Sequence, residues 1–235
     1  MSTCFSTQTV HEAQIITAEI WQSASCAEIM LVMLSESQPF QNSTHYMPQL
    51  YLFASSCARR VNHLLCDARS QQAICATELF ATDSTTKTNL LNSHQAAQAA
   101  VIDLAKNCPL LSTDAQTDDP APTLQDLFAG ALLHAAAAAA SASTPSHLTR
   151  PPQAARTSAR YTLTALYYEQ LSNHSDSTLI TQVLDEEQHR QSQALRIFLG
   201  NPFDPRHWPP FTIPKSHSIK EPSRHQSTRN LRPIN

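Results

Sequence analysis

The sequence predicts an all-α fold, a compact multi-helix domain of about six to seven helices. Only two of its 235 residues are glycine, whereas a sheet-rich protein of this length needs many glycines for hairpin turns and bulges. Leucine and alanine supply most of the apolar side chains. In several segments these side chains recur at spacings of three and four, which is typical of helices that bury one face.

The predicted domain occupies residues 17–208, after a polar segment, residues 1–16, that has no pattern and that we expect to be flexible. Its first element is a turn or short helix around residues 17–22. Ser25 and Glu28 have the spacing of a capping box. A second helix is therefore predicted to begin there and to include the apolar residues that follow.

The clearest helix is predicted from Met47 to Cys66. Pro48 suits its first turn, where a backbone N–H would lack a partner in any case. One stripe of apolar residues should face the core, and its members are Met47, Leu50, Ala54, Cys57, Val61 and Leu64. Asp67 then has the position of an N-cap for the next helix, over residues 68–81.

Four further helices follow, with loops between them. They are predicted over residues 86–106, 123–141, 152–171 and 177–199. Thr123 and Asp126 repeat the capping-box pattern, and the alanine run after them favours a helix because alanine has the highest helix propensity. Gly200 can adopt the positive φ with which many helices end, so the last helix should stop there.

Charge is distributed unevenly along the chain. Residues 1–205 hold 10 basic and 18 acidic side chains, whereas residues 206–235 hold 6 basic and 1 acidic. Prolines are scattered among polar residues after Trp208, so we expect residues 209–235 to form a basic, proline-rich and disordered tail. The acidic body and the sparse basic residues of the tail disfavour nucleic-acid binding.

Several classes of function are disfavoured by what the sequence lacks. Phosphate-cradling loops and dinucleotide fingerprints need clustered glycines, and no window holds two, so we predict no cofactor. Glu186 and His189 form a Glu-x-x-His pair without the second pair that a di-iron bundle needs, so we predict no metal. No apolar run is long enough to span a membrane and no secretory signal is recognised. We therefore expect a cytoplasmic protein with reduced cysteines and no membrane contact.

Two stretches resemble an uncharacterised protein family. One is LYLFASSCARRVNHLLCDARS over residues 50–70, and the other is ALRIFLGNPFDP over residues 194–205, with TAEIW upstream at residues 17–21. In order and spacing they are similar to an alanine-rich helical family abundant in planctomycete bacteria, with patterns like KLRLFACACCRRIWHLLTDERSR and LLRDIFGNPFRP. This chain departs from that pattern at Ser56 and Asn62, where the family has cysteine and tryptophan. The resemblance implies a helical fold and a bacterial cytoplasmic setting, but no activity, because none is established for the family.

The best cluster of chemically capable side chains is Arg59, His63 and Asp67, near the end of the predicted helix 47–66. Residues four apart are neighbours on a helix surface, and Cys66 lies close to them. In one interpretation His63 is a base or ligand and Arg59 binds an anion, which would make the protein an enzyme or a small-anion binder. In the other, Asp67 caps the next helix while Arg59 and His63 bond to neighbouring helices.

The leading functional hypothesis is a non-enzymatic protein–protein interaction or regulatory module with an unidentified protein partner. No catalytic constellation is evident, while amphipathic helices and a charged tail suit partner binding. Candidate contact residues are Trp21, Arg59, Arg60, Asn201, Pro202, Phe203 and Trp208. The Asn-Pro-Phe tripeptide is either a short recognition motif or a turn in which Phe203 packs back onto the body. The sequence leaves the oligomeric state open.

Overall fold

The computed structural model describes residues 18–37, 46–108, 122–145, 151–173 and 176–203. Within these ranges every regular element is a helix, which confirms the predicted all-α fold. Residues 18–23 are helical, and a 3₁₀ helix, Asn62–Leu64, follows α2. The α-helices are α1 Ala27–Glu36, α2 Met47–Arg60, α3 Ala68–Ala81, α4 Lys87–Lys106, α5 Leu124–Ala142, α6 Pro151–Asn173 and α7 Ser177–Leu199.

Three helices, α2, α5 and α6, pack against one another at the centre of the bundle. The α5–α6 contact is the most extensive. Helices α3 and α4 pack together and contact α5, whereas α1 and α7 contact α6. One apolar core joins side chains from residues 18–23, from α1 to α3 and from α5 to α7.

Small side chains let the central helices approach closely. Residues Ala135–Ala140 of α5 are all buried, and so is Ser158 of α6. The hydroxyl of Ser158 lies 3.0 Å from the carbonyl oxygen of Ala54 in α2 and 3.1 Å from that of Ala138 in α5. One buried donor thus serves the backbones of two neighbouring helices, which requires all three helices to lie close together.

Most predicted helix ends are confirmed, because their signals are local. Asp67 accepts the backbone N–H of Arg69 at 2.8 Å and caps α3. Thr123 and Asp126 form the predicted capping box at the start of α5. At the other end of the chain, α7 stops at Gly200, whose φ of 66° is in the region that favours glycine.

The prediction of one helix from Met47 to Cys66 is wrong, because α2 ends at Arg60. Val61 leaves the helix with φ −105° and ψ 20°. The 3₁₀ turn that follows allows Leu64 and Leu65 both to be buried. In a regular α-helix these consecutive side chains would point 100° apart. The burial of two adjacent leucines thus accompanies the break.

The predicted capping box of Ser25 and Glu28 is also wrong. The N-cap of α1 is Cys26, which makes no side-chain capping hydrogen bond. The Glu28 carboxylate instead accepts a hydrogen bond from Nε of Arg156 in α6, at 2.9 Å. The Glu28 carboxylate therefore bonds to a neighbouring helix and does not cap its own helix, although the local pattern predicts that it would.

Other predicted features fall partly or wholly outside the described residues. Residues 1–16, Trp208 and the tail over 209–235 lie outside them. Among the residues that the structure does describe, no helix combines the length and apolar character needed to cross a bilayer.

Candidate functional site

Arg59 forms a bidentate ion pair with Glu78 of α3. Its Nε lies 3.0 Å from Oε1 of Glu78, and its Nη2 lies 2.8 Å from Oε2 of the same carboxylate. The same Nη2 is 3.3 Å from Sγ of Cys75. These bonds to Glu78 raise the pKa of Arg59. The guanidinium thus links α2 to α3, and the two N–H groups on one of its edges are already bonded to a carboxylate.

His63 and Asp67 have different partners. Nε2 of His63 lies 2.8 Å from Oε1 of Glu169 in α6. Asp67 caps α3, and its Oδ2 lies 2.7 Å from Nη2 of Arg69, whose hydrogen bonds lower the pKa of that carboxyl. Arg69 also reaches Asp103 of α4, at 2.9 Å.

The side chains of the predicted cluster therefore bond to two neighbouring helices, α3 and α6. Arg59 bonds to α3, His63 bonds to α6, and Asp67 acts as a cap. These contacts match the interpretation in which the three side chains serve helix capping and packing. The break in α2 after Arg60 also removes the continuous helix on which their predicted proximity rested.

Trp21 is an internal residue, so its assignment as a contact residue needs correction. Its ring is fully buried, and Nε1 donates to the carbonyl oxygen of Gly200 at 2.8 Å. The ring also meets Phe203 edge to face, with 5.6 Å between centroids. Trp21 therefore fastens residues 18–23 to the end of α7.

The Asn-Pro-Phe tripeptide matches the interpretation of a turn in which Phe203 packs back onto the body. Oδ1 of Asn201 accepts the backbone N–H of Phe203 at 3.1 Å, which closes a turn. Pro202 and Phe203 are buried, and Phe203 belongs to the main core. A partner domain could not reach the phenylalanine without opening that core. Trp208, the remaining aromatic candidate, lies outside the described residues.

Arg60 takes part in a buried polar cluster between α2 and α7. Its Nε lies 3.1 Å from Oε1 of Glu187, and Nε2 of Gln191 lies 3.2 Å from the same oxygen. Burial raises the pKa of Glu187, and the charge of Arg60 opposes that shift. Burial, reinforced by Glu187, also raises the pKa of Cys57 above its usual range. The Cys57 thiol therefore stays protonated and is a poor nucleophile.

Sequence reasoning missed a cavity of about 400 Å³, open to solvent, at the junction of α4, α5 and α6. Its lining residues come from three separate segments: His94, Gln98, Ala140, Ser141, Thr144, Gln153, Ala154 and Thr157. A weak signal for it exists in α4, where His94 occupies a position in the buried stripe with Leu90 and Ala97. Sequence spacing within one helix cannot reveal a cavity that three helices form together.

The outward face of α1 is a second feature that sequence reasoning missed. Met30, Leu31 and Leu34 point into the core. On the opposite side Ile29 is 55% exposed and Val32 is half-buried, while Met33 beside them is half-buried and also packs against the main core. Ile29, Val32 and Met33 recur at spacings of three and four, so they form one apolar stripe, here called the α1 outer face.

No group of three or more metal-ligating side chains converges within the described residues. No family model matches the chain, and neither a curated protein nor a solved structure matches it. The similarity to the planctomycete family therefore stays a prediction from the sequence.

Proposed function

We propose that this protein is a non-enzymatic protein–protein interaction module whose contact surface is the α1 outer face. The observation that carries the proposal is that α1 has apolar side chains outside its buried stripe, with Ile29 more than half exposed beside the acidic Glu36. A surface helix usually has a polar side toward water, so apolar side chains on the outward side of α1 are candidates for a contact surface. The α1 outer face therefore has the composition of a surface that another protein covers.

Ile29 is the most exposed apolar side chain of α1. More than half of this side chain is exposed, and complete burial of an isoleucine is worth about 1.5–3 kcal/mol. Covering the exposed half of Ile29 would contribute about 1 kcal/mol. Three apolar residues on one helix face are also the pattern by which an amphipathic helix packs onto another helix.

The partner we propose is a protein segment with an apolar face and basic flanks. Glu36 lies on the same side of α1 as Ile29. Residues 1–205 carry 10 basic and 18 acidic side chains, a net charge of −8. A basic partner segment would be attracted to this acidic body.

The engaged state of the candidate catalytic side chains supports a non-enzymatic role. Arg59, His63 and Asp67 each contact a different partner group, and the buried Cys57 thiol is protonated. The cytoplasm is the proposed setting, because the five cysteines among the described residues are free thiols, as expected in a reducing compartment.

The test is quantitative affinity purification of the full chain from its native host. Ile29→Glu places a charge on the α1 outer face, and Leu179→Glu is the matched control on α7, where Leu179 is 46% exposed. We expect a partner that the wild type and the control recover equally and that Ile29→Glu recovers about tenfold less. Equal recovery by all three forms would contradict the proposal. So would a second copy of the chain as the sole partner, detected with two differently tagged copies.

A further inference from the structure

We propose that the cavity between α4, α5 and α6 is a binding site for a small uncharged polyhydroxyl molecule, such as a sugar or a cyclic polyol. None of the residues that line the cavity belongs to the α1 outer face, so the two proposals can be tested separately. The inference rests on the position of His94, on the chemistry of the lining and on the size of the cavity.

His94 lines the cavity, and its Nδ1 is held by a backbone carbonyl. The side chain is 8% exposed, and its Nδ1 lies 3.0 Å from the carbonyl oxygen of Ala140. Because a carbonyl oxygen only accepts, Nδ1 must carry the proton. In the neutral ring Nε2 is then an acceptor. The hydroxyl of buried Ser143, 3.4 Å from Nδ1, helps to hold the ring in this orientation.

Burial keeps this ring neutral. It lowers the pKa of His94, while the bond to Ala140 opposes the shift. At neutral pH the imidazole therefore adds no charge to the cavity.

The rest of the lining is polar but uncharged. Among the described residues that line the cavity there is no Lys, Arg, Asp or Glu, which favours an uncharged ligand over an anion or a cation. The side-chain amides of Gln98 and Gln153 can each donate and accept hydrogen bonds. Thr157 donates its hydroxyl proton to the carbonyl of its own helix at Gln153, 3.0 Å away, so its oxygen is left as an acceptor.

This arrangement matches hydroxyl groups best. A hydroxyl can donate to Nε2 of His94 or to Oγ1 of Thr157 and accept from either glutamine amide. Apart from His94 no described lining residue has a ring, so this part of the cavity offers a flat aromatic ligand little stacking surface. The volume of about 400 Å³ is within the range of small-molecule sites and suits a ligand about the size of a monosaccharide.

The test uses saturation-transfer NMR and titration of the full chain with glucose and myo-inositol. Glucose 6-phosphate and glucosamine serve as charged counterparts. Gln98→Ala and Thr157→Val each remove one polar group from the lining and leave the buried His94 in place. Gln182→Ala is the matched control, because Gln182 is an exposed glutamine on α7, away from the cavity. Circular dichroism would check that each variant is folded.

We expect saturable binding of glucose or myo-inositol to the wild type and to Gln182→Ala. Each lining variant should bind about threefold to tenfold more weakly, as the loss of one hydrogen bond implies. Binding of glucose alone would assign a sugar, and binding of myo-inositol would extend the site to other cyclic polyols. The proposal is overturned if neither neutral compound binds, if the charged counterparts bind more tightly, or if the lining variants bind as the wild type does.

Discussion

His134 of α5 has an unusual environment for a histidine. Its ring is nearly parallel to that of Tyr168, with 2° between planes and 5.3 Å between centroids, and it also stacks on Tyr161 at 5.8 Å. Its Nδ1 is enclosed and has no hydrogen-bond partner among the described residues. Burial lowers the pKa of this imidazole. A neutral ring thus packs like an aromatic side chain while one of its polar atoms is unpaired.

His134→Phe should therefore stabilise the fold by about 1 kcal/mol, because it removes the unpaired nitrogen and keeps an aromatic ring between the tyrosines. The folded pKa of His134 is below its unfolded value. Its contribution to stability is therefore lost as the pH falls from about 6.5 toward the folded pKa. The variant should lose less stability over that range. Urea denaturation at pH 7 and pH 5 measures both effects.

The matched control is His189→Phe, since His189 is exposed on α7. It should give no comparable gain in the free energy of unfolding. A loss of stability in His134→Phe would contradict this account of the ring.

Arg59 and Arg60 are consecutive, yet their ion pairs differ in burial. Glu78, the partner of Arg59, has a side chain that is 36% exposed, whereas Glu187, the partner of Arg60, is 3% exposed. An exposed pair contributes little, but the loss of one partner of a buried pair leaves a charge without compensation.

Arg60→Met should cost about 1–3 kcal/mol of unfolding free energy, discounted because Arg60 itself is partly exposed. Arg59→Met is the internal control and should cost less than about 1 kcal/mol. Because the folded pKa of Glu187 is already raised, loss of Arg60 should raise it further. The stability lost through Arg60→Met should therefore grow as the pH rises through that folded pKa. Equal costs for the two variants in chemical denaturation would refute the distinction.

At the scale of elements, α5 shows why an alanine run can build a core. Most of its buried alanines belong to the main core, whereas Ala140 packs with Ala73 of α3 and Ala97 of α4, and a larger side chain would push these helices apart. Ala138 is fully buried, and its carbonyl oxygen receives the Ser158 hydroxyl.

Ala138→Leu should destabilise the protein by about 1–3 kcal/mol, because three added carbons overpack a close helix contact. Ala99→Leu on α4 is the control at a half-buried alanine, and it should be close to neutral. Thermal unfolding followed by circular dichroism measures both. If Ala138→Leu were as stable as the wild type, the close approach of α5 and α6 would be wrong.

Helix boundaries were predictable where the signal lies within a few residues. Asp67, Thr123 and Gly200 each act on backbone groups next to them, and each ends or begins a helix as predicted. Glu28 failed as a capping residue because its partner, Arg156, is 128 positions away along the chain. The end of α2 failed for a similar reason, since it depends on the core that receives Leu64 and Leu65.

At the scale of the whole molecule, the fold class was predictable but both candidate binding surfaces were not. The scarcity of glycine and the helical spacing of apolar residues predicted an all-α protein. The run of apolar residues in α1 was visible, but only the packing of α1 on α6 and α7 shows that Ile29 faces outward. The cavity likewise exists only where three helices meet.

The candidate contact residues show the same dependence on tertiary structure. Trp21 and Phe203 have the aromatic character of interface residues. In the folded chain the two rings contact each other instead, although the residues lie near opposite ends of the described sequence. Aromatic residues suit cores and interfaces equally, so composition alone could not assign them.

The most direct test of the interaction proposal is photo-crosslinking in the native host. A benzophenone amino acid would replace Ile29 in the full chain, and the same amino acid at Leu179 would be the control. We predict a discrete adduct with a different protein from position 29 and none from position 179. No adduct from position 29, the same adduct from both positions, or an adduct between two copies of this chain would contradict the proposal that the α1 outer face binds a partner.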